Sequence, residues 1–190
     1  FGDADLDAAI EGAMVAKMRN AGEACTAANR FYVHADLAQE FSRKLADRMG
    51  AMTVGDGTQD GVEVGPLINA KAVDKVTALV DDATERGATV VTGGTASEEP
   101  GYFYPPTVLT DVPLEAQMVR EEIFGPVAGI QTFTDDDDAI RRANDTEYGL
   151  VAYFFTKDLS RALRVSEALE YGMGGVNQGV VCPPAEACGG

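Results

Sequence analysis

The stretch AKAVDKVTALVDDATERGATVVT, residues 70–92, decides the fold. Residues 70–86 carry apolar side chains at the spacing of an amphipathic helix, Gly87 closes it, and the β-branched run at 88–92 reads as a strand. A helix giving way to a strand across one glycine is a unit of an alternating chain, and the alternation continues on both sides. Upstream, Asp3 or Asp5 caps a helix whose apolar stripe runs through Leu6, Ala9, Ile10, Ala13, Met14 and Met18, and Gly22 ends it. Arg30-Phe31-Tyr32-Val33 then reads as a short strand, and residues 36–50 return to helical spacing with Leu37, Phe41, Leu45 and Met49 inward. Downstream, residues 102–109 read as extended, and Pro105 and Pro106 predict an edge or irregular strand there. Strands at 126–133, 150–156 and 175–177 alternate with helices at 137–144 and 159–169, the acidic run Asp135 to Asp138 capping the first of these helices. The prediction is an α/β fold, a mostly parallel sheet with helices on both faces. No internal repeat or low-complexity linker divides it, so residues 1–190 are expected to form one domain.

Composition narrows the partners. With 31 acidic against 15 basic side chains, the formal charge of −16 repels phosphate backbones and anionic headgroups, so neither nucleic acid nor a membrane surface is an expected partner. No apolar run approaches the roughly 18 residues of a membrane span, and no signal-peptide pattern opens the chain, which predicts a cytoplasmic protein. Three cysteines, at 25, 182 and 188, form no C-x-x-C pair, and reduced thiols fit better than a disulfide framework or a zinc site. His34 is the only histidine, so it reads as a strand-end surface residue rather than part of a triad or metal cluster. The loop at 56–61 has calcium-like spacing, but its third position is Thr58 and its twelfth is Leu67 rather than Glu, and no metal is expected there.

Cys25 is the residue with chemical promise. It falls in the turn between a helix and a strand, among the small neighbours of Gly22-Glu23-Ala24-Cys25-Thr26-Ala27. Such a turn leaves a thiol uncrowded and brings backbone N–H groups near it, as an oxyanion requires. From local context alone, a small buried hydrophobe would be the more common role of such a cysteine.

A resemblance covering almost the whole chain favours the chemical role. The string Arg19-Asn20-Ala21-Gly22-Glu23-Ala24-Cys25-Thr26-Ala27-Ala28-Asn29-Arg30 resembles the cysteine signature of the aldehyde dehydrogenase family, and Glu121-Glu122-Ile123-Phe124-Gly125-Pro126-Val127 resembles its second signature. Gly2-Asp3-Ala4-Asp5-Leu6-Asp7, Val64-Gly65-Pro66-Leu67-Ile68 and the segment 143–150 are also similar to family segments. The resemblance implies that Cys25 attacks an aldehyde to give a thiohemiacetal, that hydride passes to NAD or NADP, and that water hydrolyses the remaining thioester. It further implies that Glu122 binds the nicotinamide-ribose hydroxyls and that Phe124 packs beside the nicotinamide.

Within the family the chain looks most like the succinate-semialdehyde dehydrogenases, on Lys17-Met18-Arg19-Asn20 and Ala168-Leu169-Glu170-Tyr171-Gly172-Met173. That branch implies Arg19 as the clamp for the substrate's far carboxylate, through the paired hydrogen bonds a guanidinium makes. It also implies a substrate-binding side chain at position 182, where relatives carry serine and this chain carries Cys182, a weaker donor. Cys188 replaces an aromatic of the substrate pocket, and Ala27 replaces the second cysteine of a redox pair used by some relatives. The expected activity is NAD(P)-dependent oxidation of succinate semialdehyde, with glutarate semialdehyde or a catalytically silent domain as alternatives. Family members are longer. A preceding dinucleotide-binding domain supplies the water-activating Glu and an oxyanion-hole Asn, and a following arm contributes to subunit pairing. The chain is therefore expected to be a piece of a homo-oligomeric protein, and to oxidise aldehydes poorly by itself.

Overall fold

The computed structural model of the chain describes residues 1–97 and 99–181. Its first helix, α1 (Leu6–Met18), is capped by Asp5, whose carboxylate accepts from the Ala8 amide at 3.1 Å. Asp3, the other candidate cap, instead accepts from the Thr156 hydroxyl and the amides of Lys157 and Asp158, which ties the first residues to a distant turn. A single 3-10 turn (Arg19–Gly22) follows α1, and then β1 (Arg30–His34), α2 (Ala35–Gly50), α3 (Ala70–Glu85), β2 (Thr89–Thr92) and β3 (Thr107–Thr110). The chain continues through α4 (Gln117–Arg120), β4 (Val127–Phe133), α5 (Asp136–Asn144), β5 (Val151–Phe154), α6 (Leu159–Ala168) and β6 (Met173–Val176). Asp135 caps α5 as the acidic run predicts, accepting from the Asp138 amide at 2.8 Å.

The strands form a four-stranded sheet in the order β1-β4-β3-β2 and a two-stranded sheet of β5 and β6. β4 runs parallel to both β1 and β3, β5 runs parallel to β6, and β2 alone is antiparallel to its neighbour. Successive side chains of a strand point to opposite faces, and this alternation builds two cores. Val108 of β3 with Ala128 and Ile130 of β4 packs against Ile10 of α1 and Leu45 and Met49 of α2. Leu109 and Val127, one residue out of phase, pack against Val76, Leu79 and Val80 of α3 and Met118 of α4. Helices therefore cover both faces of the larger sheet, and the fold is the α/β class the alternation implies.

Two local readings need correction. The edge reading of the segment 102–109 is overturned: its ladder begins at Thr107, beyond both prolines, and β3 lies between β4 and β2, with an irregular register against β2. A proline cannot donate to a ladder, but Pro105 and Pro106 stand ahead of the first paired residue and so cost it nothing. His34 does end β1, but its side chain is only 19% exposed. Its ring stands edge-on to Phe133 at 5.4 Å, and its Nδ1 caps α2 by accepting from the Asp36 amide.

Candidate active site

Cys25 stands on the loop between the 3-10 turn and β1, with its side chain exposed. Backbone bonds from Glu23 to the Asn20 carbonyl, Ala27 to Ala24 and Ala28 to Ala16, each 2.9 Å, hold the loop on either side of the thiol. Among the described residues no acceptor meets the Cys25 amide, so that N–H is available to a ligand. Gly22 adopts φ +77°, and a Cβ there would lie 2.2 Å from the Gly125 carbonyl oxygen. Only glycine lets the thiol segment and the segment at 121–127 touch backbone to backbone.

Asn29 fastens the same two segments from the other side. Its Nδ2 donates to the carbonyls of Met118 (3.1 Å) and Glu121 (3.0 Å), and its Oδ1 accepts from the Ile123 amide at 2.8 Å. This clip fixes the backbone on both flanks of Glu122. Replacing Asn29 with Ala strands the amide of fully buried Ile123, and the expected loss of stability is about 3 kcal/mol, read from the urea midpoint at unchanged m-value.

A cavity of about 480 Å³ has Cys25, Glu122 and Tyr153 among its polar lining residues and Phe31, Phe133 and Phe154 among its apolar ones. Phe124 is not part of that lining. It sits with Ile123 and Glu122 around a neighbouring hollow of about 310 Å³, the residue 38% exposed and its φ at +51°. Glu122 thus faces both spaces. Behind it lies Lys17 of α1, only 1% exposed, whose ammonium makes no hydrogen bond or ion pair with any described residue. Burial pushes the Lys17 ammonium down to about 7, against the opposing pull of the Glu122 carboxylate.

Arg19 lies outside the cavity lining, exposed, with its Nη2 donating to the Thr26 hydroxyl at 2.5 Å. It is nonetheless part of the thiol's surroundings, because it donates to Thr26, the residue after Cys25, whose carbonyl accepts from the Tyr153 hydroxyl at 3.0 Å. The structure therefore brings Arg19, Cys25 and Glu122 into one region, with Phe124 beside it. Cys182 and Cys188 lie outside the described residues. Asn29, Tyr153 and Lys17 were not assigned roles from the sequence. Asn29 stood inside the quoted cysteine string, whereas the β-strand tyrosine and the helical lysine carried no local signal.

Two side chains here suit one half of a dinucleotide. An exposed carboxylate at Glu122 can accept from two ribose hydroxyls, and the exposed Phe124 ring offers an apolar face to a flat heterocycle. No group of three or more metal-ligating side chains is assembled among the described residues. No helix among them is long and apolar enough to cross a membrane.

Comparison with known proteins bears on this arrangement. The aldehyde dehydrogenase family model matches residues 1–190. A succinate-semialdehyde dehydrogenase of Paenarthrobacter nicotinovorans is 56% identical over all of this chain, which covers 42% of that protein. The succinate-semialdehyde dehydrogenase (NADP+) of Escherichia coli K12 is 50% identical, again over the whole chain and 39% of its own length. Among solved structures, succinate-semialdehyde dehydrogenase from Burkholderia pseudomallei superimposes with a TM-score of 0.95 at 45% identity, over 98% of this chain and 39% of the other. The chain thus spans about two fifths of the length of the relatives it matches.

Proposed function

Because this chain belongs to the aldehyde dehydrogenase family, we propose that it carries the thiol half of an NAD(P)-dependent succinate-semialdehyde dehydrogenase. The observation that carries the reading is the shared cavity of Cys25 and Glu122, a nucleophile and a ribose acceptor opening onto one space. The Cys25 sulfur adds to the aldehyde carbon, and the new oxyanion is met by the Cys25 amide, which no acceptor among the described residues meets. Covalent capture matters because a tetrahedral thiohemiacetal can expel hydride and the free aldehyde cannot. Glu122 and Phe124 would hold the nicotinamide end of NAD or NADP, and the chemistry that group supplies when bound is acceptance of the hydride. Water then opens the thioester and frees the acid. Arg19 binds the far carboxylate of the semialdehyde, and Cys182 is a second substrate-binding residue in this reading. The complete protein is proposed to be cytoplasmic and homo-oligomeric, with the dinucleotide-binding domain outside this chain.

The substrate part is tested with a panel of succinate semialdehyde, glutarate semialdehyde and an uncharged aldehyde of similar length. Loss of a charge-assisted clamp in Arg19→Ala is expected to raise KM for the carboxylated substrates by roughly 10- to 100-fold, well beyond the change for the uncharged one. Equal shifts across the panel would remove the carboxylate from the reading. A preference for glutarate semialdehyde in the parent enzyme would move the assignment to the longer substrate.

A further inference from the structure

The hydrogen bonds around the thiol point to a role for a residue beside it. We propose that Thr26, braced by Tyr153, is the positioning residue that fixes Arg19 relative to Cys25 and so holds the guanidinium ready for the carboxylate of a semialdehyde. This inference rests on the function proposed above.

Thr26 follows the nucleophile directly, and both of its polar ends are engaged. Its hydroxyl accepts from Arg19 Nη2 at 2.5 Å, and its carbonyl accepts from the Tyr153 hydroxyl at 3.0 Å. An arginine at the end of a turn otherwise samples many rotamers, at an entropic cost each time it grips a ligand. The hydroxyl of Thr26 removes that freedom while occupying one of five guanidinium N–H donors, which leaves a complete two-donor edge for a carboxylate.

Tyr153 supplies the fixed point. It lies in β5 opposite Gly175 of β6, where a Cβ would come within 2.8 Å of the phenol ring, so the glycine makes room for it. Burial pushes the Tyr153 phenol upward from its ordinary value, so the hydroxyl keeps its proton and remains a donor at neutral pH. The bracket therefore runs from the smaller sheet through the Thr26 peptide to the guanidinium, passing next to the sulfur. Substrate recognition and bond formation are held at one spacing by adjacent residues.

The test uses the complete enzyme with Thr26→Val, Thr26→Ser and Tyr153→Phe, and Arg19→Ala as reference. Thr26→Val keeps the shape and removes the hydroxyl. It should lower the kcat/KM preference for succinate semialdehyde over an uncharged aldehyde by about tenfold, as loss of one hydrogen bond to a charged group does. The change should fall mainly on KM, and Thr26→Ser should restore the preference. Tyr153→Phe should speed hydrogen exchange of the amides at 24–28 by about tenfold, a readout independent of turnover. If Arg19→Ala is selective for carboxylated substrates and Thr26→Val is not, the positioning role is overturned while the proposed function stands. If Arg19→Ala is itself unselective, the carboxylate clamp falls and this inference falls with it. Unchanged exchange in Tyr153→Phe overturns the brace.

Discussion

Cys25→Ala, assayed in the complete enzyme, is expected to abolish aldehyde oxidation, with kcat falling on the order of 10⁴-fold or more. The magnitude follows from the chemistry: without the Cys25 sulfur no thiohemiacetal forms there, and among the described residues lining the cavity there is no other thiol. Binding of NAD(P)H, followed by nicotinamide fluorescence, should persist, because Glu122 and Phe124 stand on a different segment from the thiol. In the parent protein, iodoacetamide should label Cys25 and block turnover in proportion to labelling. Activity within tenfold of the parent in Cys25→Ala would end the covalent mechanism and leave the cavity without a chemical role.

The largest effect on stability is expected at Gly22. Gly22→Ala places a methyl group 2.2 Å from the Gly125 carbonyl oxygen at a φ of +77°, so contact and backbone conformation both oppose it. A left-handed alanine costs roughly 1–2 kcal/mol and forced overpacking roughly 1–3 kcal/mol. Together these correspond to a fall of about 10 °C in Tm for a chain of this size. Gly57→Ala, where a Cβ meets nothing within 4 Å, is the control and should lie within about 0.5 kcal/mol of the parent. If the two variants melt together, the backbone contact between residues 22 and 125 is not the constraint it is taken to be.

Much of this molecule could be read from the residues, and the parts that could not share a physical cause. Helix spacing and capping are local: Asp5 and Asp135 accept from amides three residues away, so their roles are written beside them in the chain. The parallel pairing followed from alternation alone. The strand at Thr107–Thr110 was misplaced because two prolines just ahead of it signal an edge, and only the sheet shows that pairing starts after them. At the site, the uncrowded placement of Cys25 between the 3-10 turn and β1 was legible from its small neighbours. The contacts that hold the site were not, since Asn29 reaches a carbonyl 89 residues on and Tyr153 reaches back 127 residues to Thr26. Partners that far apart are set by how sheets and helices stack, which leaves no mark in a short window. The burial of Lys17 is a similar case: its helical position is plain, but the burial of an ammonium runs against composition rules and emerges only from packing.

The Asn29 clip has a consequence for how such a chain can change. Because alignment of the two signature segments is made where they meet, the loops and strands between them are relieved of holding it. The acidic stretch at 55–66 could lengthen, shorten or exchange its glycines over generations without moving the Cys25 sulfur away from the Glu122 carboxylate. Drift is tolerated along the span, and intolerance is concentrated at its two ends.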